Sequence, residues 1–153
     1  MRGLVLDFGG VLAGFGADAD LMAGLVDAAR RRGVRTAILS NDPGGPAGQR
    51  LRDLAGVFVD EVVLSGDVGM AKPDTRIYRL TAARLGLDPG ECVFVDDLVA
   101  NVRGAVASGM VGVHHADAAQ AAEEIGILLD SGDARESGGW GSVDGRGPSD
   151  RGR

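Results

Sequence analysis

Short apolar runs alternate with segments of helical period along most of the chain. Leu4–Leu6, Val34–Leu39, Glu61–Leu64, Cys92–Val95 and Val111–Val113 read as strands. Several are apolar throughout, as strands buried on both faces must be. A helix is expected from Asp18 or Asp20, either able to cap it, to about Arg32. Leu21, Leu25 and Ala28 fall at helical spacing there, Arg30–Arg32 suit the C-terminal dipole, and Gly33 ends it. A short helix is expected over Ala47–Leu54 and another from Pro73 or Asp74 to Leu85, closed by Gly86. Leu98–Ser108 and Asp117–Leu129 complete the set. Strand–helix alternation predicts an α/β fold with right-handed crossovers and a mainly parallel five-stranded sheet between helices.

The pattern stops near residue 130. From Ser131 onward there is no apolar periodicity, Gly recurs, and acids and arginines balance. Such a segment buries too little apolar surface to offset its ordering entropy, so a domain over 1–130 and a disordered tail over 131–153 are expected. Trp140 is read as an incidental aromatic in that tail.

The 153 residues carry a net charge of −6 and 44% hydrophobic positions. That suits one globular domain and speaks against nucleic acid as a partner, which would call for a basic face. No apolar run approaches the roughly 18 residues that cross a bilayer, so neither membrane span nor signal segment is expected. A lone Cys92 permits no intramolecular disulfide and fits a reducing cytoplasm. All but one of the 16 basic residues are Arg. The exception, Lys72, suggests a place where a compact ammonium is wanted and not a planar fork.

In a parallel sheet, chemistry gathers at the carboxyl ends of the strands. Asp7 follows the first strand, Ser40, Asn41 and Asp42 the second. Lys72 follows the loop Ser65–Ala71 after the third, Asp96 and Asp97 the fourth, and His114 and His115 the fifth. Clustered carboxylates repel unless a cation sits among them, and oxygen-rich sites suit Mg²⁺. Ser40, Asn41 and Lys72 would offer donors and positive charge to a phosphoryl group. An Asp beside Mg²⁺ can also serve as a nucleophile.

The segments LVLDFGGVL (Leu4–Leu12), TAILSN (Thr36–Asn41), GMAKPDTRIY (Gly69–Tyr78) and CVFVDDLVANVRGAVASGM (Cys92–Met110) resemble, in order and spacing, the four motifs of the haloacid dehalogenase superfamily. The nearest flavour is the N-terminal phosphatase domain of epoxide hydrolases and similar sugar-phosphate phosphatases. The resemblance implies a Rossmann-like three-layer sandwich and a Mg²⁺-dependent phosphatase. Asp7 would be nucleophile and metal ligand, and Ser40 would bind the transferring phosphoryl group with Asn41 and Gly10 beside it. Lys72 would stabilise the charge of both. Asp97 would be a metal ligand, Asp96 a second or water-mediated acid, Gly9 a ligand through its carbonyl, and Asn101 an organiser of that loop.

Two departures stand out. The family's phosphatases carry a second Asp two residues after the nucleophile, which protonates the leaving group; here Gly9 stands there. General acid–base help is worth about 10²–10⁴-fold. Asp18, Asp20 and Asp42 are conceivable substitutes that the sequence does not place. A catalytically weak phosphate- or Mg²⁺-binding module with a regulatory partner is therefore the alternative reading, and a metal-independent dehalogenase a lesser one. The second departure is size. The stretches between Asp7 and Ser40 and between Ser40 and Lys72 hold no room for a cap domain. The site is expected to be open, with a phosphorylated small molecule or macromolecule as substrate, or covered by a second copy in a homo-oligomer.

Three other features are set aside. Gly14, Gly16 and Ala19 match a loose dinucleotide fingerprint, but beyond the first strand and with Asp7 opposing a pyrophosphate. His114 and His115 are adjacent on a strand end, so they point to opposite faces and are read as surface or loop residues. Cys92 is read as an inert core thiol.

Overall fold

A computed structural model describes residues 1–136; of the tail expected over 131–153, residues 131–136 instead continue the last helix, and 137–153, Trp140 included, lie outside the described residues. The expected strands all form: β1 (Gly3–Leu6), β2 (Arg35–Ser40), β3 (Glu61–Leu64), β4 (Cys92–Asp96) and β5 (Val111–His114). They pair in parallel in the order β3-β2-β1-β4-β5. The chain builds outward from β1 through β2 to β3, then returns to the other side of β1 with β4. That reversal opens a crevice at the carboxyl ends of β1 and β4, where open α/β sheets bind ligands.

Alternation along the buried strands divides two cores. Leu4, Leu6, Ile38, Val93, Val95 and Val113 face α1 (Ala17–Arg31) and α6 (Ala118–Glu136), meeting Met22, Val26, Ile125 and Leu129. Val5, Leu39, Val63, Cys92 and Phe94 face the other way, meeting Ile77, Tyr78 and Ala82 of α4 (Thr75–Arg84) and Ala105 of α5 (Val99–Ser108). The result is the expected three-layer sandwich, with no cap domain. Among the described residues no helix is long and apolar enough to cross a membrane.

Local chemistry departs from the expectations at several ends. Neither Asp18 nor Asp20 caps α1; Gly16 stands at its N-cap and both acids lie in the first turn, where they still complement the dipole. Asp74 does cap α4, accepting from the Arg76 N–H, and the Arg76 guanidinium beside it holds its carboxyl down to about 2. The helix expected over Ala47–Leu54 divides into a 3₁₀ turn, Gly45–Gly48, and a single α turn, α2 (Gln49–Arg52). The connection expected as loop after β3 begins with one turn of helix, α3 (Ser65–Val68), ended by Gly69 at φ 69°. α6 continues past Leu129 to Glu136.

Phe94 joins the core to the crevice. It is fully buried, meets Tyr78 edge-on at 5.1 Å between ring centroids, and lies 5.5 Å beneath the Lys72 ammonium. Replacing it with alanine removes both contacts and leaves a cavity. Phe94→Ala is expected to lower stability by about 3–5 kcal/mol in chemical denaturation.

Candidate active site

Asp7 leaves β1 directly, its N–H donating to the Val95 carbonyl at 2.9 Å, so that it stands beside Asp96 at the end of β4. Between them lies Lys72. Its Nζ donates to Asp7 Oδ1 at 2.8 Å and to Asp96 Oδ2 at 2.9 Å. The Lys72 side chain is only 1% exposed, that of Asp7 13% and that of Asp96 not at all. A lysine is suited to this place: its compact ammonium can donate to two carboxylates from one point and keep a third N–H directed elsewhere.

Asp96 is held from every side. Its Oδ1 accepts from the Leu98 N–H at 2.9 Å and its Oδ2 also from Asn101 Nδ2 at 3.0 Å. Burial opposes its ionisation, yet the Lys72 ammonium and these donors keep its carboxyl below the ordinary range. Asn101 is buried in turn, and its carbonyl accepts from the Tyr78 hydroxyl at 2.6 Å. Asn101 thus organises the Asp96 end of the crevice, as its place in the sequence suggested.

Asp97 is exposed and completes a trio with Asp7 and Asp96, in which one oxygen from each lies within 4.8 Å of the others. Burial and the neighbouring Asp96 and Asp7 carboxylates push its carboxyl up. One ammonium among these carboxylates leaves two negative charges uncompensated, the charge of a divalent cation. The donors are all oxygens, the preference of Mg²⁺ over softer metals. The residues present therefore fit Mg²⁺.

The two glycines after Asp7 differ. Gly10 donates its N–H to Asp7 Oδ2 at 3.3 Å, and a Cβ there would overlap the Asp97 carboxylate. Gly9 is exposed, and no atom lies within 4 Å of where its Cβ would stand.

Ser40 ends β2, the strand beside β1, and is nearly buried. Asn41 follows, but its amide is engaged: Nδ2 donates to the Lys72 carbonyl at 3.0 Å and Oδ1 accepts from the Lys72 N–H at 2.8 Å. Both ends of the amide grip the backbone of Lys72, a positioning contact that the sequence did not announce. Asp42 accepts from the Gly44 N–H at 2.8 Å and shapes its own loop. The two histidines diverge as expected. His114 is exposed and its Nε2 lies 2.9 Å from the Asp97 carbonyl, so Nε2 carries the proton there. His115 is half-buried, with Nε2 unpartnered among the described residues. Cys92 lies in the core, its thiol pushed up to about 11, chiefly by burial, which leaves it inert at neutral pH.

The chain resembles known proteins in sequence and in fold. A solved structure of an uncharacterised protein from Corynebacterium glutamicum superposes with a TM-score of 0.82 at 43% identity, covering 85% of this chain and 96% of that one. Phosphoserine phosphatase of Thermus thermophilus is 37% identical over 89 residues, 56% of this chain and 35% of that protein. Bifunctional epoxide hydrolase 2 of Rattus norvegicus is 33% identical over 104 residues, 64% of this chain and 19% of that protein. The chain thus spans much less than two thirds of these two curated relatives. The family model for haloacid dehalogenase-like hydrolases matches residues 2–109, and the chain belongs to that family.

Proposed function

We propose that the protein is a Mg²⁺-dependent phosphatase that hydrolyses phosphate monoesters through an aspartyl-phosphate on Asp7. The observation that carries this reading is the Lys72 ammonium bonded at once to Asp7 and Asp96, with Asp97 completing an oxygen cluster. The name of the Thermus relative supports the phosphatase class.

In this reading Asp7 Oδ2 attacks phosphorus while Oδ1 stays on Lys72, which fixes the carboxylate for in-line approach. The remaining Lys72 N–H and the Ser40 hydroxyl reach the phosphoryl oxygens as charge builds on them. Asp7, Asp97 and the Gly9 carbonyl would hold Mg²⁺, with Asp96 behind them. When bound, the ion neutralises the carboxylates and the phosphoryl oxygens and so admits a dianionic substrate. The ester oxygen leaves as its P–O bond breaks and takes a proton from solvent water. A second water then attacks phosphorus, gives a proton back to solvent and breaks the bond to Asp7, releasing phosphate and restoring the carboxylate. Asn41 keeps Lys72 in place throughout.

Gly9 favours a second reading, a phosphate- or Mg²⁺-binding module with slow turnover, because no side chain stands where the leaving group needs a proton. A metal-independent dehalogenase is disfavoured by the uncompensated charge of the carboxylate cluster.

Hydrolysis of an activated aryl phosphate, which needs no general acid, separates these readings. Turnover is expected with Mg²⁺, to vanish with chelator and to vanish in Asp7→Asn; equal rates in wild type and Asp7→Asn would sink the phosphatase reading. The open space at Gly9 allows a sharper test. Gly9→Asp is expected to speed hydrolysis of an unactivated alkyl phosphate by about 10²-fold, the lower end of general-acid help, and to leave the aryl phosphate rate within a few-fold.

A further inference from the structure

A groove of about 390 Å³ lies beside Lys72, lined by Asn41, Asp42, Pro43, Ser65, Met70 and Ala71 together with Gly66 and Gly69. We propose that this groove receives the leaving group of the phosphate ester and selects esters whose organic part carries no second negative charge, cationic aminoalkyl esters foremost. The proposal rests on the phosphatase reading and adds a substrate class to it.

Continuity places the groove in the reaction. Asn41 follows Ser40 and grips the Lys72 backbone, and Ala71 directly precedes Lys72. The groove therefore shares Asn41 with the clamp on Lys72 and reaches Ala71, the residue before it, next to the residues that would hold the phosphoryl group. Its walls are stitched together. Ser65 Oγ accepts from the Asp42 N–H and donates to the Asp42 carbonyl, both at 2.9 Å, and the Gly66 N–H donates to the same carbonyl at 2.8 Å. In a chain without a cap this gives a preformed concave wall for the organic part of a substrate. Its volume falls in the range of small-molecule sites.

The lining decides the class. Pro43, Met70 and Ala71 offer apolar contact to a short carbon chain, and Met adapts its shape readily. No Lys or Arg lines the groove, and Asp42 is the acid that does. The nearby cation does not offset it. Arg52 donates to both carboxylate oxygens of Asp67 at 2.8 Å, and also to Gly45 O and Gln49 Oε1. One guanidinium thus faces three acids, Asp67, Asp42 and Asp53, and negative charge is left over. The Lys72 ammonium is turned to Asp7 and Asp96. A carboxylate or second phosphate on the leaving group would meet Asp42 and be repelled; an ammonium would be attracted. At a separation of several ångströms near a protein surface, each effect is worth roughly fivefold in kcat/KM.

The test compares kcat/KM, with Mg²⁺, for three monoesters of similar size: phosphoethanolamine, glycerol phosphate and 3-phosphoglycerate. Wild type is expected to prefer them in that order, with more than tenfold between the ends. Asp42→Asn keeps an oxygen for the Gly44 N–H but removes the charge, and with both effects gone is expected to bring the three rates within a few-fold of one another. Ala71→Lys, at an exposed position, serves as a second variant and is expected to raise the rate on 3-phosphoglycerate and lower it on phosphoethanolamine. Equal rates on the three esters, or a spread that neither variant changes, would overturn the selection while leaving the phosphatase reading intact. Turnover of an aryl phosphate with none of these esters would overturn the selection alone, and turnover of neither kind would overturn both.

Discussion

One buried ammonium holds the crevice together. Asp7 and Asp96 stand side by side because β1 and β4 are neighbours in register, and without a cation their carboxylates would repel. Lys72 makes their proximity tolerable by donating to both. The dependence is mutual, since a lysine this deeply buried is stable only when paired. Removing Lys72 leaves two neighbouring carboxylates without their cation in a low-dielectric pocket. The same geometry that stabilises the folded chain also fixes the Asp7 carboxylate in place and keeps Asp96 ionised.

Around this centre the fold supplies support from a distance. Asn41, from the end of β2, grips the Lys72 backbone, while Asn101 and Tyr78 bind Asp96 from α5 and α4. Phe94 lies beneath the ammonium as part of the core. The crevice is thus anchored in the best-packed layer of the molecule, and its groups are held before any substrate arrives. Such preorganisation matters more in a chain without a cap, because no closing domain assembles the site or excludes water on binding.

The absence of an acid at Gly9 is the one place where chemistry and fold part. The backbone there would accept a side chain, so steric need does not explain the glycine. Gly10 differs, because Asp97 occupies the space its Cβ would take. Two adjacent glycines that look alike in sequence thus have different reasons to be there, one steric and one with no steric cause.

The sequence alone determined the layers, the strands and the chemical types at their ends. Both-face burial demands apolar runs, and the carboxyl ends of parallel strands are where polar residues can stand. Asp7, Lys72, Asp96 and Asp97 were therefore legible, Lys72 doubly so as the lone lysine among arginines. Tertiary structure decided the rest. That Asn41 holds Lys72, that His114 meets the Asp97 carbonyl, that Arg52 pairs with Asp67 and that Ser65 ties down the Asp42 backbone are contacts between residues far apart in the chain. No local pattern encodes them, because each forms only when two loops are brought to the same sheet edge. Helix ends were lost for the opposite reason: Asp18 and Asp20 had cap chemistry, but the backbone entering α1 from the Asp7 loop put Gly16 at the cap. Periodicity records which face an element buries. It does not record which neighbour arrives there.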